Sequence, residues 1–195
     1  GTPALTPRSV DFGTAYGSPP AVTRTGYTLE RWNTAANGSG TDITGGTVLS
    51  IPSDHTVYAI WTQNIYAVHF DANGADSGIM PDQMLSFNSS QALTVNVYGR
   101  TGHTFIGWNT AADGSGTPYA DGATFTMSME GQTLFARWSI NSYTVSYDAN
   151  GASIGNIPAP VSGAYLSSVS AAANTGNLQG PVIQDGIRQR FVGWN

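Results

Sequence analysis

Apolar and polar residues alternate in several short stretches of the chain. In YTVSYDANG, the apolar Tyr143, Val145 and Tyr147 are separated by single polar residues. A period of two residues is typical of a half-buried β-strand. The same alternation predicts three further strands, in YAVHFD (66–71), ATFTM (123–127) and TLFARW (133–138).

Helical periodicity is weak throughout the sequence. The best helical candidate is the Ala- and Ser-rich run 164–173. Elsewhere, frequent Gly (24) and Pro (10) interrupt the apolar runs, which favours short strands joined by turns. We therefore predict a mainly β fold.

Turns are predicted where Asn or Gly follows a strand, because both residues accept a positive φ angle at low cost. An Asn-Gly pair follows each of the two DANG strands, and two further Gly lie in the loop TAADGSG. The positions predicted to adopt positive φ are Asn73, Gly74, Asn150, Gly151, Gly114 and Gly116.

Long stretches of the sequence occur more than once. GYTLERWNTAANGSGT (26–41) returns as GHTFIGWNTAADGSGT (102–117), and YAVHFDANGA (66–75) returns as YTVSYDANGA (143–152) at almost the same shift. FIGWN (105–109) returns as FVGWN (191–195) only after a longer interval. About nine extra residues therefore lie within 153–190 of the third copy.

These matches divide the chain into three predicted repeats with a period of about 77 residues. Repeat 1 covers 1–61 and lacks its first strand, repeat 2 covers 62–138 and is complete, and repeat 3 covers 139–195 and stops after its Gly-Trp strand. A period of this length favours separate small modules over the turns of a solenoid. We expect a row of such modules with little contact between neighbours.

Repeats 1 and 2 each carry two Trp at matching places, Trp32 with Trp61 and Trp108 with Trp138. A small module has little surface to bury, so we predict that these rings form its core. The alternative is a platform of exposed rings that stacks on sugars. One further position, which matches across the three repeats, is predicted to be core: Leu29, Phe105 and Phe191. The next position is predicted to be exposed: Glu30, Ile106 and Val192.

Composition excludes several kinds of chemistry. The 195 residues include no Cys, and all seven basic residues are Arg, which excludes disulfides, thiolate catalysis and lysine Schiff bases. The net charge is −5 and no basic stripe exists, which argues against nucleic acid as a partner. No apolar run reaches the ~18 residues of a membrane span, so we expect no membrane insertion in this segment.

Candidate reactive residues do not recur with the repeat. His55, His69 and His103 occupy non-equivalent places, which argues against a shared metal or general-base site. The twelve carboxylates are scattered, and no pair of them recurs. We assign no catalytic, cofactor-binding or metal residue and expect no cofactor; the binding residues are unknown.

The segment DANGAD is a candidate calcium loop, because Asp71, Asn73 and Asp76 are oxygen ligands at short spacing. An EF-hand loop has Gly at about position 6 and Glu at about position 12. Here Gly74 is at position 4 and Asp82 at position 12. We therefore favour a plain turn and predict that folding does not depend on a metal.

The motifs YTVSYDANGA, RTGHTFIGWNTAADGSGTPYADGATFTM (100–127) and TLFARW resemble the internalin-type B repeat, also known as the Listeria–Bacteroides repeat. The resemblance covers nearly all of repeat 2 and the shared parts of the others. It implies a small extracellular module with a β-grasp-like (ubiquitin-like) fold, found in tandem in bacterial surface and secreted proteins. It brings no catalytic residues. Glu30-Arg31, where the family has a small residue and Gly, and the length of 153–190 depart from the family pattern.

Two classes of function follow from this resemblance. The first is a non-enzymatic extracellular repeat module of a bacterial surface protein, which acts as a spacer or stalk and as a contact surface for adhesion to an unknown protein or glycan. The second is a carbohydrate-binding module that uses exposed aromatic residues. The Thr- and Ser-rich alternate positions of the strands favour the first.

Head-to-tail self-association is a further hypothesis. Repeat 1 lacks a first strand, and strand 143–147 of repeat 3 lacks its usual TLFARW-type neighbour. Strand 143–147 of one chain could complete repeat 1 of another by strand donation. The local alternative is that residues 153–190 fold back as a substitute strand.

Overall fold

The computed structural model describes residues 6–128, 130–182 and 188–194. Within these ranges the chain has 37 % strand and no helix, which confirms the mainly β prediction. The strands are β1 Tyr27–Asn33, β2 Asp42–Ile43, β3 Tyr58–Gln63, β4 Ile65–Asp71, β5 Gln83–Ser86, β6 Ser90–Ala92, β7 His103–Asn109, β8 Pro118–Tyr119, β9 Thr124–Thr126, β10 Gln132–Ile140, β11 Ser142–Val145, β12 Val161–Ala164, β13 Gln179–Val182 and β14 Arg188–Arg190.

The chain forms two compact units. The first contains the residues up to Asp71, Met80–Asn96 and Trp108–Phe135; the second contains Ala72–Ile79, Val97–Gly107 and the residues from Ala136 onward. The first unit includes the sheet β2-β1-β3 and the pair β6-β9, and the second includes the pairs β11-β12 and β13-β14. A further sheet has the order β5-β4-β10-β7-β8, in which β4 and β10 are parallel.

The core of repeat 1 forms beneath β1. Its buried members are Tyr16, Trp32, Ile43 and Leu49, and Leu29 packs against them. The pairing of β1 with β3 shifts by one residue between Leu29 and Arg31, and this bulge leaves Glu30 exposed to solvent. A charge is therefore tolerated there, as predicted.

The first strand of repeat 2 has the predicted alternation. Val68 and Phe70 of β4 are buried, and the Phe70 ring lies 4.9 Å from that of Trp108, which is itself only 1 % exposed. The second Trp of the repeat, Trp138, is half-buried and lies 5.5 Å from the Phe105 ring. The prediction that the Trp residues are core is confirmed for Trp32 and Trp108, while Trp61 and Trp138 are half-buried.

The first strand of repeat 3 is shorter and more exposed than predicted. β11 ends at Val145, and Tyr143 and Val145 are 56 % and 47 % exposed. β4 lies between β5 and β10, whereas among the described residues β11 pairs only with β12, and a two-stranded ribbon gives its side chains little to pack against. Beyond the strand, Tyr147 is buried with its ring 4.6 Å from that of Trp194, which repeats the aromatic pair of repeat 2.

Two other predictions for repeat 3 are wrong. The run 164–173 is not helical, because Ala164 pairs with Ser142 in the β11-β12 ribbon and Leu166 has a φ of 59°, which no α-helix accommodates. The FVGW segment is not a strand either. The preceding β14 pairs with β13 in a separate ribbon, and no described strand lies beside 191–194.

Matching backbone bridges locate the extra residues of repeat 3. The bridge between Ser77 and Gly99 in repeat 2 corresponds to that between Ile154 and Gln179 in repeat 3. The chain from Gly99 to the matching Phe, Phe105, is half as long as the chain from Gln179 to Phe191. Most of the extra residues therefore lie between Gln179 and Phe191 of the sequence, where repeat 2 has a tight turn over 100–103.

The expectation of little contact between neighbouring repeats is wrong at both linkers. The single residue Asn64 separates β3 from β4, and Asn141 separates β10 from β11. Each linker residue hydrogen-bonds to the repeat before it and to the repeat after it. A linker of one residue has almost no slack, so the last strand of one repeat passes directly into the first strand of the next.

Candidate functional site

The ten residues that recur most closely form the same loop twice, between β1 and β2 and between β7 and β8. At the base of the first loop lies Asn33, which is fully buried. Its Oδ1 accepts hydrogen bonds from the backbone N–H groups of Ala35 (2.8 Å) and Gly40 (2.9 Å). Its Nδ2 donates to the carbonyl oxygens of Gly38 (3.3 Å) and Gly40 (3.0 Å).

The second loop is held in the same way by Asn109, which is 4 % exposed. Its Oδ1 accepts a hydrogen bond from the N–H of Ala111 (2.9 Å), and its Nδ2 donates to the carbonyls of Gly114 (3.2 Å) and Gly116 (3.2 Å). In each loop one buried amide thus satisfies several backbone groups, beside the bonds that the loop backbone makes to itself. We name residues 33–41 and 109–117 the stapled loops.

The single difference between the two ten-residue copies leaves the loop unchanged. In the first loop, Asn37 Oδ1 accepts hydrogen bonds from the N–H and the hydroxyl of Ser39. In the second, Asp113 Oδ1 accepts the same two bonds from Ser115, at 2.9 and 2.7 Å. Both residues form the local turn that Asn and Asp favour, so the charge of Asp113 is not required for it.

The two glycines of the second loop have different roles. Gly114 has a φ of 87°, which confirms its predicted left-handed conformation. Gly116 does not have a positive φ, so that prediction is wrong. A Cβ there would lie 2.2 Å from Thr110 Oγ1 and 2.8 Å from Asn109 Oδ1. Gly116 is therefore needed because the loop passes close to Thr110 and to the buried Asn109.

The three His residues have unrelated environments, as their spacing predicted. Their partners are Tyr16 Oη (2.5 Å) and the Ser53 carbonyl for His55, Asp82 Oδ1 (2.7 Å) for His69, and the Thr101 carbonyl (2.9 Å) for His103. The contacts differ in chemistry as well as in position, so these His residues form no arrangement that recurs from repeat to repeat.

The polar residues of the DANGAD segment support a turn. Asn73 and Gly74 have φ angles of 45° and 88°, which confirms the predicted tight turn, and the second Asn-Gly pair has 43° and 77°. Asn73 Nδ2 donates to the Ala136 carbonyl (2.8 Å), and Asp76 Oδ2 accepts the N–H of Thr101 (2.8 Å). Hydrogen bonds from Thr101 hold the pKa of Asp76 below its ordinary value, and Arg100 adds a smaller lowering.

In the described part of the chain, no group of three or more His, Asp or Glu residues is placed to hold a metal ion. The independence of folding from metals stays a prediction.

Exposed aromatic rings do not occupy recurring positions in the described residues. Phe12, Tyr58 and Tyr143 are 67 %, 40 % and 56 % exposed. The residues of repeat 2 that match Tyr58 and Tyr143 are Phe135 and Tyr66, and both are half-buried. A row of rings shared by the repeats, which the sugar-stacking alternative requires, is therefore not formed by these positions.

Comparison with known proteins identifies the repeat. A family model described as the Listeria-Bacteroides repeat domain matches residues 1–60 and 66–137. The chain belongs to this repeat family. The match includes both stapled loops and the first Trp of each pair, Trp32 and Trp108.

Two relatives of the Listeria-Bacteroides repeat chain come from Evansella cellulosilytica. One, provisionally named a Gly-rich membrane protein, is 41 % identical over 140 residues, which is 68 % of this chain and 16 % of the relative. The other, provisionally named a membrane protein, is 34 % identical over 143 residues, 70 % of this chain and 20 % of the relative. The chain thus spans a fifth or less of the length of these relatives. No solved structure matches it.

Across residues 6–128, 130–182 and 188–194, no helix is long and apolar enough to cross a membrane.

The sequence interpretation missed the amide staple. Asn33 and Asn109 were visible only as part of a repeated string, WNTAA. The available signal was the spacing of seven residues from Asn33 to Gly40, which recurs from Asn109 to Gly116. Neither Gly has room for a Cβ. The linker residues Asn64 and Asn141 were missed for a similar reason, since the partners that they join lie far away in sequence.

Proposed function

We propose that this chain is a non-enzymatic extracellular segment of a bacterial cell-envelope protein and serves as a spacer or stalk. The observation that carries the proposal is that the most closely recurring residues of the two repeats form hydrogen bonds that hold their own loops. In both stapled loops the buried amide of Asn33 or Asn109 is used in hydrogen bonds to the backbone of its own loop, and Asn33 Nδ2 also donates to Asp42 Oδ1 directly after the loop. What the repeats share is thus a means of folding rather than a ligand site.

The names of the relatives support the location. Both are provisionally named membrane proteins, and each is several times longer than this chain. A repeated segment within such a protein is suited to separating other parts of it from the membrane. Specific adhesive contacts, to a protein or a glycan at the cell surface, would then come from exposed positions that vary between repeats.

We also propose that repeat 2 is a β-grasp-like module of the internalin type. The strand order β5-β4-β10-β7, with β4 and β10 parallel, supports this fold, because a β-grasp places its first and last strands side by side and parallel. In the described residues the segment between β5 and β7 holds the short strand β6 where a β-grasp has its helix. A crystal structure of repeat 2 whose β4 and β10 are not adjacent would contradict this assignment.

The carbohydrate-binding alternative gives the sharpest test of the spacer proposal. The 195-residue chain is titrated with soluble cellulose, chitin and peptidoglycan fragments while Trp fluorescence and heat are recorded. The spacer proposal expects no saturable change. Saturable binding that is lost in Tyr143→Ala, but retained in a variant of a similarly exposed aliphatic residue such as Ile140→Ala, would overturn it in favour of sugar stacking.

Head-to-tail self-association stays a prediction. Among the described residues, β3 and β11 each pair on one side only, so both offer an edge. The local alternative was that residues 153–190 replace the missing TLFARW-type strand beside β11. This is wrong for β12, because β12 pairs with β11 in the same way as β5 pairs with β4, so it matches β5 and not the missing strand. Light scattering across a concentration series tests the hypothesis: a rise in mass that a Pro at Thr144 abolishes supports strand pairing, and a constant monomer mass contradicts it.

A further inference from the structure

The two linkers between repeats make the same backbone contacts. The N–H of Asn64 donates to the carbonyl of Gly26 (3.0 Å), and the carbonyl of Asn64 accepts the N–H of Phe87 (2.7 Å). At the second linker, Asn141 donates to Gly102 (2.8 Å) and accepts from Tyr165 (2.8 Å). In each case the linker Asn joins a turn of the preceding repeat to a residue of the following repeat. That residue, Phe87 or Tyr165, comes directly after the second strand of its repeat, β5 or β12.

The side chains of the linkers also make one shared contact. The hydroxyl of Thr28 donates to Asn64 Oδ1 (2.7 Å), and the hydroxyl of Thr104 donates to Asn141 Oδ1 (2.6 Å). Each Thr lies two residues after the Gly that accepts the backbone bond. The linker Asn is therefore held to the preceding repeat by both its backbone and its side chain.

An aromatic ring of the following repeat lies directly over that Gly. A Cβ on Gly26 would lie 2.1 Å from Phe87 Cδ1, and a Cβ on Gly102 would lie 2.1 Å from Tyr165 Cδ1. Both glycines have positive φ, 74° and 69°. No side chain larger than hydrogen fits between the turn and the ring.

Each ring also meets the residue after the Gly edge to face. The ring centroids of Tyr27 and Phe87 are 6.0 Å apart at an interplanar angle of 78°, and those of His103 and Tyr165 are 6.2 Å apart at 72°. Such T-shaped pairs are a favoured arrangement of aromatic rings. The residue types differ at both members of the pair while the geometry is kept.

We propose that this contact is a modular connector that fixes each repeat to the next one. The socket is the Arg-Thr-Gly-x-Thr turn of the preceding repeat (24–28 and 100–104), and the plug is the aromatic residue of the following repeat, Phe87 or Tyr165. The partner that this surface fits is therefore the neighbouring repeat of the same chain. The inference does not depend on the spacer role, since an adhesive array would use the same connector.

Ring-current shifts in NMR spectra detect the connector directly. A Cα proton of Gly26 and one of Gly102 point at the face of a ring, so both are expected far upfield of ordinary Gly protons. Phe87→Ala should return the Gly26 proton to its ordinary position and leave that of Gly102 upfield, and Tyr165→Ala should do the opposite. Ordinary Gly shifts in the unmodified chain would overturn the proposal.

A double-mutant cycle tests whether the ring and the Gly act as a pair. Gly102→Ala is compared with Gly151→Ala, which has a similar φ of 77° but nothing within 4 Å of its Cβ. Gly151→Ala should lower the melting temperature by about 2–4 °C, through backbone strain alone. Gly102→Ala should lower it at least twice as far, but no further than Gly151→Ala when Tyr165 is already Ala. Equal effects of Gly102→Ala with and without Tyr165 would overturn the connector.

Discussion

The stapled loops and the connectors both occur twice in the chain, but they differ in how closely the two copies agree in sequence. The two loops, 33–41 and 109–117, are nearly identical in sequence and in hydrogen bonds, and the bonds of each buried amide to the backbone stay within its own loop. The two connectors share the socket Arg-Thr-Gly-x-Thr and the linker Asn, while the aromatic plug changes from Phe to Tyr. The loop depends on hydrogen bonds between residues close in sequence, whereas the long-range contact depends on a few backbone groups and on a class of side chain.

The largest effect is expected where one side chain holds a whole loop. Asn109→Ala removes the acceptor for the Ala111 N–H and the donor for two carbonyls in a partly buried setting. An unsatisfied buried group costs roughly 1–3 kcal/mol, so we expect a loss of about 3 kcal/mol for the set. Denaturant unfolding measures it, with Thr110→Ser as a mild control. A loss below about 0.5 kcal/mol would show that the loop holds itself.

The next effect separates the two glycines of the loop. Gly116→Ala places a Cβ against Thr110 Oγ1 and Asn109 Oδ1, and overpacking of this kind costs about 1–3 kcal/mol. Gly114→Ala at a φ of 87° meets backbone strain instead, at about 1 kcal/mol. In a Thr110→Ala background, which removes the nearest of these atoms, only the Gly116 variant should become milder. Equal rescue of both variants would remove the distinction between close approach and left-handed conformation.

A smaller effect concerns how the free energy of unfolding changes at acidic pH. The folded pKa of Asp76 lies below its ordinary value of 3.8 because Thr101 donates to the carboxylate. A lowered folded pKa stabilises the fold above pH 3.8, and this contribution is lost as the pH falls through the folded pKa. Asp76→Asn should therefore flatten the stability profile below about pH 4. An unchanged acid limb in urea titrations across the acid range would contradict the assignment.

The smallest effect tests whether the connector needs any aromatic ring at position 165 or Tyr in particular. Tyr165→Phe copies the plug of the first linker, so the change in unfolding free energy should stay within about 0.5 kcal/mol. Tyr165→Leu keeps apolar bulk but loses the ring that lies over Gly102, and it should cost more. If the two variants are equally stable, the aromatic character of the plug is irrelevant.

Periodicity predicted the parts of the fold that depend on neighbours close in sequence. The alternation in β4 identified Val68 and Phe70 correctly because strands on both sides support it. The same alternation failed for Tyr143 and Val145, since exposure there depends on which strands lie beside β11. The repeated string identified the loop, but the buried position of its Asn follows from tertiary packing.

The contacts between repeats were not predictable from the sequence pattern. Asn64 bonds to Phe87 on one side and to Gly26 on the other, and both partners lie far from it along the chain. Nothing in a single period of the sequence marks Gly26 as the residue beneath a ring. Only the comparison of two linkers, one with Phe and one with Tyr, shows which features the contact requires.

Amide hydrogen exchange at Asn64 and Asn141 tests most directly whether neighbouring repeats are joined rather than loosely tethered. Both N–H groups lie between strands, and each donates only to a Gly carbonyl of the preceding repeat in the described structure. The account predicts protection similar to that of the flanking strand amides at both linkers, lost at Asn141 but not at Asn64 in Gly102→Ala. Exchange of both amides at the rate of an unstructured peptide would contradict it.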